Sequence, residues 1–226
     1  MRRFYKTATV GDGNDVLLDG RPVRTPGRAP LALPGATLAE AIADEWNAQG
    51  ETIDPRGMPL TGLANAAIDR IAPAMDAFAH GLAIYGESDL LCYRAEGPPP
   101  LVARQAELWD PILGWAETRY AIAFAVTAGI VHRPQPPETV ARLADAVAAR
   151  DPFELAGLSP LVTVSGSLVI ALAVAEGAIG LDAAWAAAAL DEHWQLEQWG
   201  ADDEATKALA GRRVDFAAAA RFLSLL

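Results

Sequence analysis

The sequence predicts an α+β protein in which a small β-rich N-terminal domain precedes a larger all-helical domain. Three observations support this fold class: alternating residues and glycine turns fill the first 35 positions, apolar residues then recur at helical spacing, and 48 of the 226 residues are alanine. The chain is 52% apolar and is long enough to bury a sizeable core. We therefore expect a β-rich domain that includes the first helix at residues 1–60, and a helical domain at residues 61–226.

Short strands joined by tight turns are predicted at the N-terminus. Residues 4–10 and 15–18 alternate in character and are separated by a glycine-rich turn. Asp19-Gly20 is a hairpin signal that leads into a third strand. Prolines recur between positions 22 and 34, and proline cannot donate a hydrogen bond within a sheet. These strands are therefore expected at the edges or ends of a small sheet.

Helical periodicity begins after Gly35. Thr37 and Glu40 have the spacing of a capping box at the start of a helix, and Pro59 is suited to the first turn of another. The short apolar run 122–131 is compatible with either a strand or a buried turn. The predicted helices are 38–49, one that begins at 59, 74–86, 100–119, 137–149, 161–176, 182–199 and 203–225.

Composition excludes several classes of function. The chain has 18 basic and 29 acidic residues, and its net charge of −11 argues against nucleic acid or an anionic membrane as a partner. A single cysteine, Cys92, cannot form an internal disulfide, and three scattered histidines do not make a zinc site. The uncharged run 161–175 has the length of a short membrane span. Small polar residues interrupt that region and no basic anchors flank it, so we predict a buried helix.

Motifs for catalysis or cofactor binding are weak. The glycines around Asp12 are not followed by lysine, and a strand rather than a helix comes next, so a hairpin turn is expected there and not a phosphate loop. Ser165-Gly166-Ser167 lacks the second glycine of a nucleophile elbow, and close helix packing explains it better. We predict no cofactor, no metal ion and no catalytic residue.

The predicted helix 182–199 has an unusual face. Trp185, Leu196 and Trp199 fall on one stripe at the helical period, and Glu192 lies in the middle of it. A carboxylate in an apolar stripe needs a partner. That partner is either a group on another protein or an internal cation, and Arg213 on the last predicted helix is the candidate for an internal ion pair.

The order of motifs resembles a known family of chaperones, which assemble the catalytic sector of the F-type ATP synthase (the Atp-twelve family, or mitochondrial assembly factor two). The resemblance covers nearly the whole chain, and its specificity comes from the order of motifs that are weak singly. The matching motifs are the run 18–26, the run 38–43, Glu45-Trp46, Gln49, Ile53-Asp54-Pro55, Met58-Pro59-Leu60-Thr61, the run 89–94, Arg104-Gln105, Trp109-Asp110-Pro111, Ser165-Gly166-Ser167, Asp191-Glu192, Gln195 and Trp199-Gly200.

This resemblance implies a chaperone without catalytic activity. Such a chaperone binds the free α subunit of the ATP synthase and covers the surface that later meets the β subunit. We expect a monomer that does not insert into membranes. The N-terminus shows no mitochondrial presequence, so the expected compartment is the bacterial cytoplasm, or the mitochondrial matrix if the source is a eukaryote. Within the last motif we predict a client site made of Glu192, Gln195, Glu197 and Trp199.

The main alternative is an enzyme that uses two carboxylates as acid and base. Glu45 lies on an apolar stripe of the helix 38–49, as Glu192 does on its own helix. A catalytic pair is expected in a deep pocket, whereas a site for a protein client is expected to be broad and partly flat. The geometry around these two residues therefore separates the two hypotheses.

Overall fold

The computed structural model describes residues 1–200 and 202–226 and has the predicted fold class. A small three-stranded sheet at the N-terminus is followed by a region that consists mostly of helices. The strands are β1 (Ala8–Val10), β2 (Val16–Leu18), β3 (Arg21–Pro22), β4 (Tyr93–Arg94) and β5 (Thr127–Ala128). The helices are α1 (Ala36–Asn47), α2 (Pro59–Ala66), α3 (Met75–Ala83), α4 (Pro99–Tyr120), α5 (Pro137–Ala148), α6 (Pro152–Ser165), α7 (Leu168–Ala175), α8 (Leu181–Ala188), α9 (Leu190–Trp199) and α10 (Asp203–Ser224).

The N-terminal sheet is an antiparallel meander in the order β1-β2-β3. Asp19 and Gly20 have φ angles of 47° and 80°, which is the left-handed geometry that a two-residue hairpin turn requires. The predicted hairpin is therefore confirmed, although the strands are shorter than the sequence indicated. Within the run 122–131, β5 forms a two-stranded parallel pair with β4.

Three helix predictions are wrong in detail. α1 begins one residue after Gly35 rather than at residue 38, and no side chain caps it, so Thr37 and Glu40 do not act as a capping box. The predicted helix 161–176 is divided at Gly166, where φ is +71°. The predicted helix 182–199 is broken at Ala189, which lies outside helical geometry with φ −108° and ψ 18°.

The chain forms two compact units. The first comprises Met1–Met75, Asp151–Gly157 and Ala218–Leu226, and the second comprises Asp76–Arg150 and Leu158–Ala217. In the first unit, Phe153 and Phe222 stack with ring centroids 6.5 Å apart. Each unit thus draws on segments that are distant in sequence. The proposed division into domains at residues 60 and 61 stays a prediction.

Helix α7 is the centre of the second unit. Every residue from Leu168 to Ala173 has no exposed surface, as predicted for this apolar run. Its first turn is capped by Ser167, whose hydroxyl oxygen accepts a hydrogen bond from the Ile170 amide at 3.0 Å. Among the helices of residues 1–200 and 202–226, none combines the length and the apolar character that a membrane span requires.

Asp89 is a fully buried carboxylate that ties the segment before β4 to α7. It accepts hydrogen bonds from the Ser167 hydroxyl at 2.7 Å, the Val169 amide at 2.9 Å and the Leu91 amide at 3.1 Å. Burial raises the pKa of Asp89 to about 6, against these three hydrogen bonds, which act in the opposite direction. The motifs around residues 89 and 165 are thus structural and meet in one network.

We predict that Asp89 makes stability depend on pH. Because the folded pKa lies above the ordinary value of 3.8, the folded chain binds a proton that the unfolded chain releases between these two values. Above pH 6 the ionised Asp89 carboxylate therefore lowers the free energy of unfolding, and this destabilisation declines as the pH falls. Lowering the pH from 7 to 5 is expected to stabilise the unaltered chain by about 1 kcal/mol relative to Asp89→Asn, measured by urea denaturation. An equal change in both proteins would contradict this assignment.

Candidate functional site

Helix α4 positions α8 and α9 through two buried polar side chains. The indole N–H of Trp109 donates to the Ala187 carbonyl at 2.9 Å, at the end of α8. One turn earlier, the Gln105 amide donates to Asp191 at 2.8 Å, at the start of α9. Gln105 is 1% exposed, and its oxygen also accepts from the Ala95 amide at 2.8 Å. Because each of these buried groups is satisfied, the start of α9 is fixed against α4.

A third contact with α4 uses an exposed charged pair. Arg104 donates to both carboxylate oxygens of Glu197 at 2.8 and 2.9 Å. The same guanidinium lies 5.1 Å from the ring centroid of Trp194. Glu197 and Trp194 therefore belong to the side of α9 that faces α4.

Glu192 has an internal partner, and that partner is Arg212 rather than Arg213. The Glu192 carboxylate lies 2.7 Å from Arg212, and both side chains are 40% exposed. Arg212 also donates to the Val164 carbonyl at 2.9 Å. Arg213 instead pairs with Asp182 at 3.0 Å. The expected pairing with Arg213 is wrong by one position on α10, which corresponds to a rotation of about 100° around the helix.

The tryptophan stripe that the sequence predicted does not exist as one continuous face. Because the chain leaves helical geometry at Ala189, Trp185 belongs to α8 and Trp199 to α9. Trp185 is buried and contacts Phe216, with ring centroids 5.6 Å apart. Trp199 is 79% exposed. Only the second of these tryptophans is available to a partner.

Three of the four predicted site residues line one groove. Glu192, Gln195 and Trp199 belong to a groove of about 400 Å³ between α9 and the first half of α10, whereas Glu197 lies against α4. The full lining is Glu192, Gln195, Leu196, Trp199, Gly200, Ala205, Ala208, Leu209 and Arg212.

Sequence reasoning missed the α10 wall of this groove. Ala205, Ala208, Leu209 and Arg212 lie at positions i, i+3, i+4 and i+7, so they share one face of α10. That spacing is visible in the sequence. The signal is weak because two of the four residues are alanines, which add little to an apolar stripe, and because Arg212 and Arg213 are both within one turn of Phe216.

Glu45, the second carboxylate of the enzyme hypothesis, has a structural role. Its oxygens accept hydrogen bonds from the Leu60 amide at 2.8 Å, and from the Thr61 amide and hydroxyl at 2.8 and 2.7 Å. These donors belong to the first turn of α2, where backbone amides lack partners within the helix. Glu45 thus caps α2. Within residues 1–200 and 202–226, no group of three His, Cys, Asp or Glu side chains gathers in the manner of a metal site.

Comparisons with known proteins show that this chain is similar to chaperones. The family model described as ATP12 chaperone protein matches residues 2–117. The crystal structure of Atp12 from Paracoccus denitrificans shares 46% sequence identity, covers 99% of this chain and 97% of its own, and superposes with a TM-score of 0.94. The structure of a protein from Agrobacterium tumefaciens shares 43% identity over 99% of this chain and 85% of its own, also with a TM-score of 0.94.

A more distant relative is the mitochondrial protein atp12 of Schizosaccharomyces pombe, which is 26% identical in an alignment of 219 positions that covers 90% of this chain and 75% of the relative. Together these findings place the protein in the class of assembly chaperones. The chain belongs to the ATP12 chaperone family, the ATP synthase assembly chaperones that its motifs resemble.

We predict that the ion pair between Glu192 and Arg212 contributes little to stability. Both side chains are partly solvated, and Arg212 keeps its bond to the Val164 carbonyl when Glu192 is removed. Glu192→Ala should therefore lower the free energy of unfolding by less than about 1 kcal/mol in urea denaturation. A loss of about 3 to 5 kcal/mol is the signature of a buried unpaired arginine and would show that the pair is mainly structural.

Proposed function

We propose that this chaperone binds the free α subunit of the F-type ATP synthase catalytic sector, without catalysis, and covers the surface that later meets the β subunit. The proposal combines membership of the ATP12 chaperone family with one observation: Trp199 is 79% exposed beside a groove with apolar walls. Tryptophan is enriched among the residues that dominate binding energy at protein interfaces. An exposed tryptophan next to carboxylate and amide groups is suited to a protein client.

The chemistry of an unassembled subunit explains the need for such a surface. A subunit that is later buried in a stable ring exposes a large apolar interface before assembly, and large apolar patches cause association. A chaperone that covers the patch prevents aggregation as long as it is bound. The β subunit then competes for the overlapping surface of the client, so release requires only mass action. We therefore expect function without nucleotide.

Four residues of α9 are assigned roles in this proposal. Trp199 supplies apolar contact, and the exposed Gln195 amide supplies hydrogen-bonding groups at the same groove. Glu192 offers its carboxylate, already in contact with Arg212, to a basic or amide group of the client. Glu197, on the side of α4, extends the polar rim. We propose that the protein acts as a monomer in the bacterial cytoplasm or, in a eukaryote, the mitochondrial matrix.

We predict that Glu192 is required for binding the α subunit. Glu192→Gln removes the charge and keeps the size, so the chaperone concentration that gives half-maximal protection of the α subunit should rise at least about tenfold. The matched control is Asp182→Asn, which removes the carboxylate of another ion pair of the same unit, at a residue that is 88% exposed and outside the groove. Both variants are measured by the suppression of light scattering when denatured α subunit is diluted with β subunit absent.

Equal protection by Glu192→Gln and the unaltered chain would contradict the assignment of Glu192. Failure of the unaltered chain to protect the α subunit at all would contradict the proposed client. Addition of β subunit should release the protected α subunit without ATP, which gives a second readout of the same reaction.

We also predict that Trp199 acts in binding and not in folding. Trp199→Ala should change the free energy of unfolding by less than about 0.5 kcal/mol, because the side chain is mostly solvated. The same substitution should abolish most of the protection of the α subunit. Val214→Ala is the control, since Val214 is 66% exposed on α10 but does not line the groove. If both variants protect the client as the unaltered chain does, Trp199 is not a contact residue.

A further inference from the structure

The groove lies between α9 and α10 and is lined by residues of both helices. At one end, the contact between Glu192 and Arg212 joins the two helices at 2.7 Å. At the other end, Gly200 with φ +87° ends α9, and Asp202 caps α10 by accepting a hydrogen bond from the Ala205 amide at 2.9 Å. The groove is therefore bounded by two helices that an ion pair joins at the end away from Gly200.

The walls of the groove are apolar because both helices line it mainly with apolar side chains. Leu196 and Trp199 lie on the α9 side, and Ala205, Ala208 and Leu209 lie on the α10 side. The two alanines have only a methyl group where a larger side chain would fill the space between the helices. The resulting volume of about 400 Å³ lies within the range of about 300 to 1,000 Å³ typical of binding pockets.

The arms that bound the groove are strongly acidic. From position 190 to position 212 the sequence contains six Asp or Glu residues and two Lys or Arg residues. Asp203 and Glu204 are exposed in the first turn of α10, near the Gly200 end of the groove. Lys207 and Arg212 are the two cations, and Arg212 is already engaged by Glu192. An apolar group that enters the groove with a positive charge beside it is favoured over one with a negative charge.

From this geometry we propose that the groove binds a segment of the client in which one or two large apolar side chains lie within one helical turn of a lysine or arginine. This inference rests on the proposed function, since the segment belongs to the α subunit. The apolar side chain takes the space beside Ala205 and Ala208, and the cation lies toward Asp203 and Glu204. Contact with Trp199 removes its exposed ring from water.

The alkylation rate of a cysteine introduced into the groove tests this proposal directly. Ala208→Cys places a thiol on the groove wall, and Ala210→Cys places one on the opposite side of the same helix, about 200° away. The native Cys92 does not interfere, because it is fully buried and burial raises the pKa of its thiol to about 12. The measurement is the rate of alkylation by a small maleimide, after thermal melts have shown that both variants fold.

The expected result is that purified α subunit slows alkylation of Ala208→Cys at least tenfold and leaves Ala210→Cys unchanged. Two helical peptides then serve as probes. One carries two leucines one turn apart with flanking lysines, and the other has glutamates in place of the lysines. The lysine peptide should slow alkylation of Ala208→Cys at a concentration at least tenfold lower than the glutamate peptide does.

The possible failures are distinguishable. If the α subunit binds both variants but does not slow alkylation of Ala208→Cys, the groove inference is wrong and the proposed client stands. Equal protection by the two peptides overturns the requirement for a cation. If raising the chaperone concentration alone slows alkylation of Ala208→Cys, the groove binds a second copy of this chain. That result also overturns the inference. If the α subunit is not bound by the unaltered chain while the lysine peptide still protects Ala208→Cys, the proposed client is wrong and the recognition chemistry stands.

Discussion

The position of α9, and with it the groove that we propose as the client site, depends on the hydrogen bonds of the buried Gln105 amide. This amide holds the first turn of α9 through Asp191 and is itself held by the Ala95 amide, so the start of the helix has one position relative to α4. Trp109 fixes the preceding helix in the same way through the Ala187 carbonyl. Because a buried amide that loses its partner costs free energy comparable to a lost hydrogen bond, this arrangement resists displacement. One side of α9 is thereby used for folding.

We propose that the opposite side of α9 serves for recognition of the client. Leu196 and Trp199 lie about one turn apart on that side, and α10 approaches it with alanines rather than with large side chains. A protein that packed this face internally would place larger apolar residues there. The contact between Glu192 and Arg212 joins the two helices while both side chains remain partly exposed. The structure thus combines a fixed support with an apolar surface, and both features support our proposal of transient binding to an aggregation-prone client.

The fold class and several elements followed from local sequence patterns, whereas the site depended on tertiary contacts. The hairpin at Asp19-Gly20 and the first turn of α2 at Pro59 follow from backbone restrictions of single residues, so the sequence was sufficient. The break at Ala189 could not be predicted, because alanine favours helix and the hydrogen bonds that hold the end of α8 and the start of α9 to α4 are tertiary contacts. The predicted capping box at Thr37 is wrong because α1 begins earlier, at Ala36, directly after Gly35. The predicted partner of Glu192 was wrong by one position. The rotation of α10 about its own axis relative to α9 depends on how the two helices pack, and the pattern of neither helix alone determines it.

The most direct test of the central claim is hydrogen exchange of the chaperone in complex with the α subunit, measured by mass spectrometry. If the client occupies the groove, amide exchange should slow in the C-terminal half of α9 and the first half of α10, and exchange in α5 should stay as in the free protein. Formation of a stable complex with unchanged exchange in both of those segments would contradict the account.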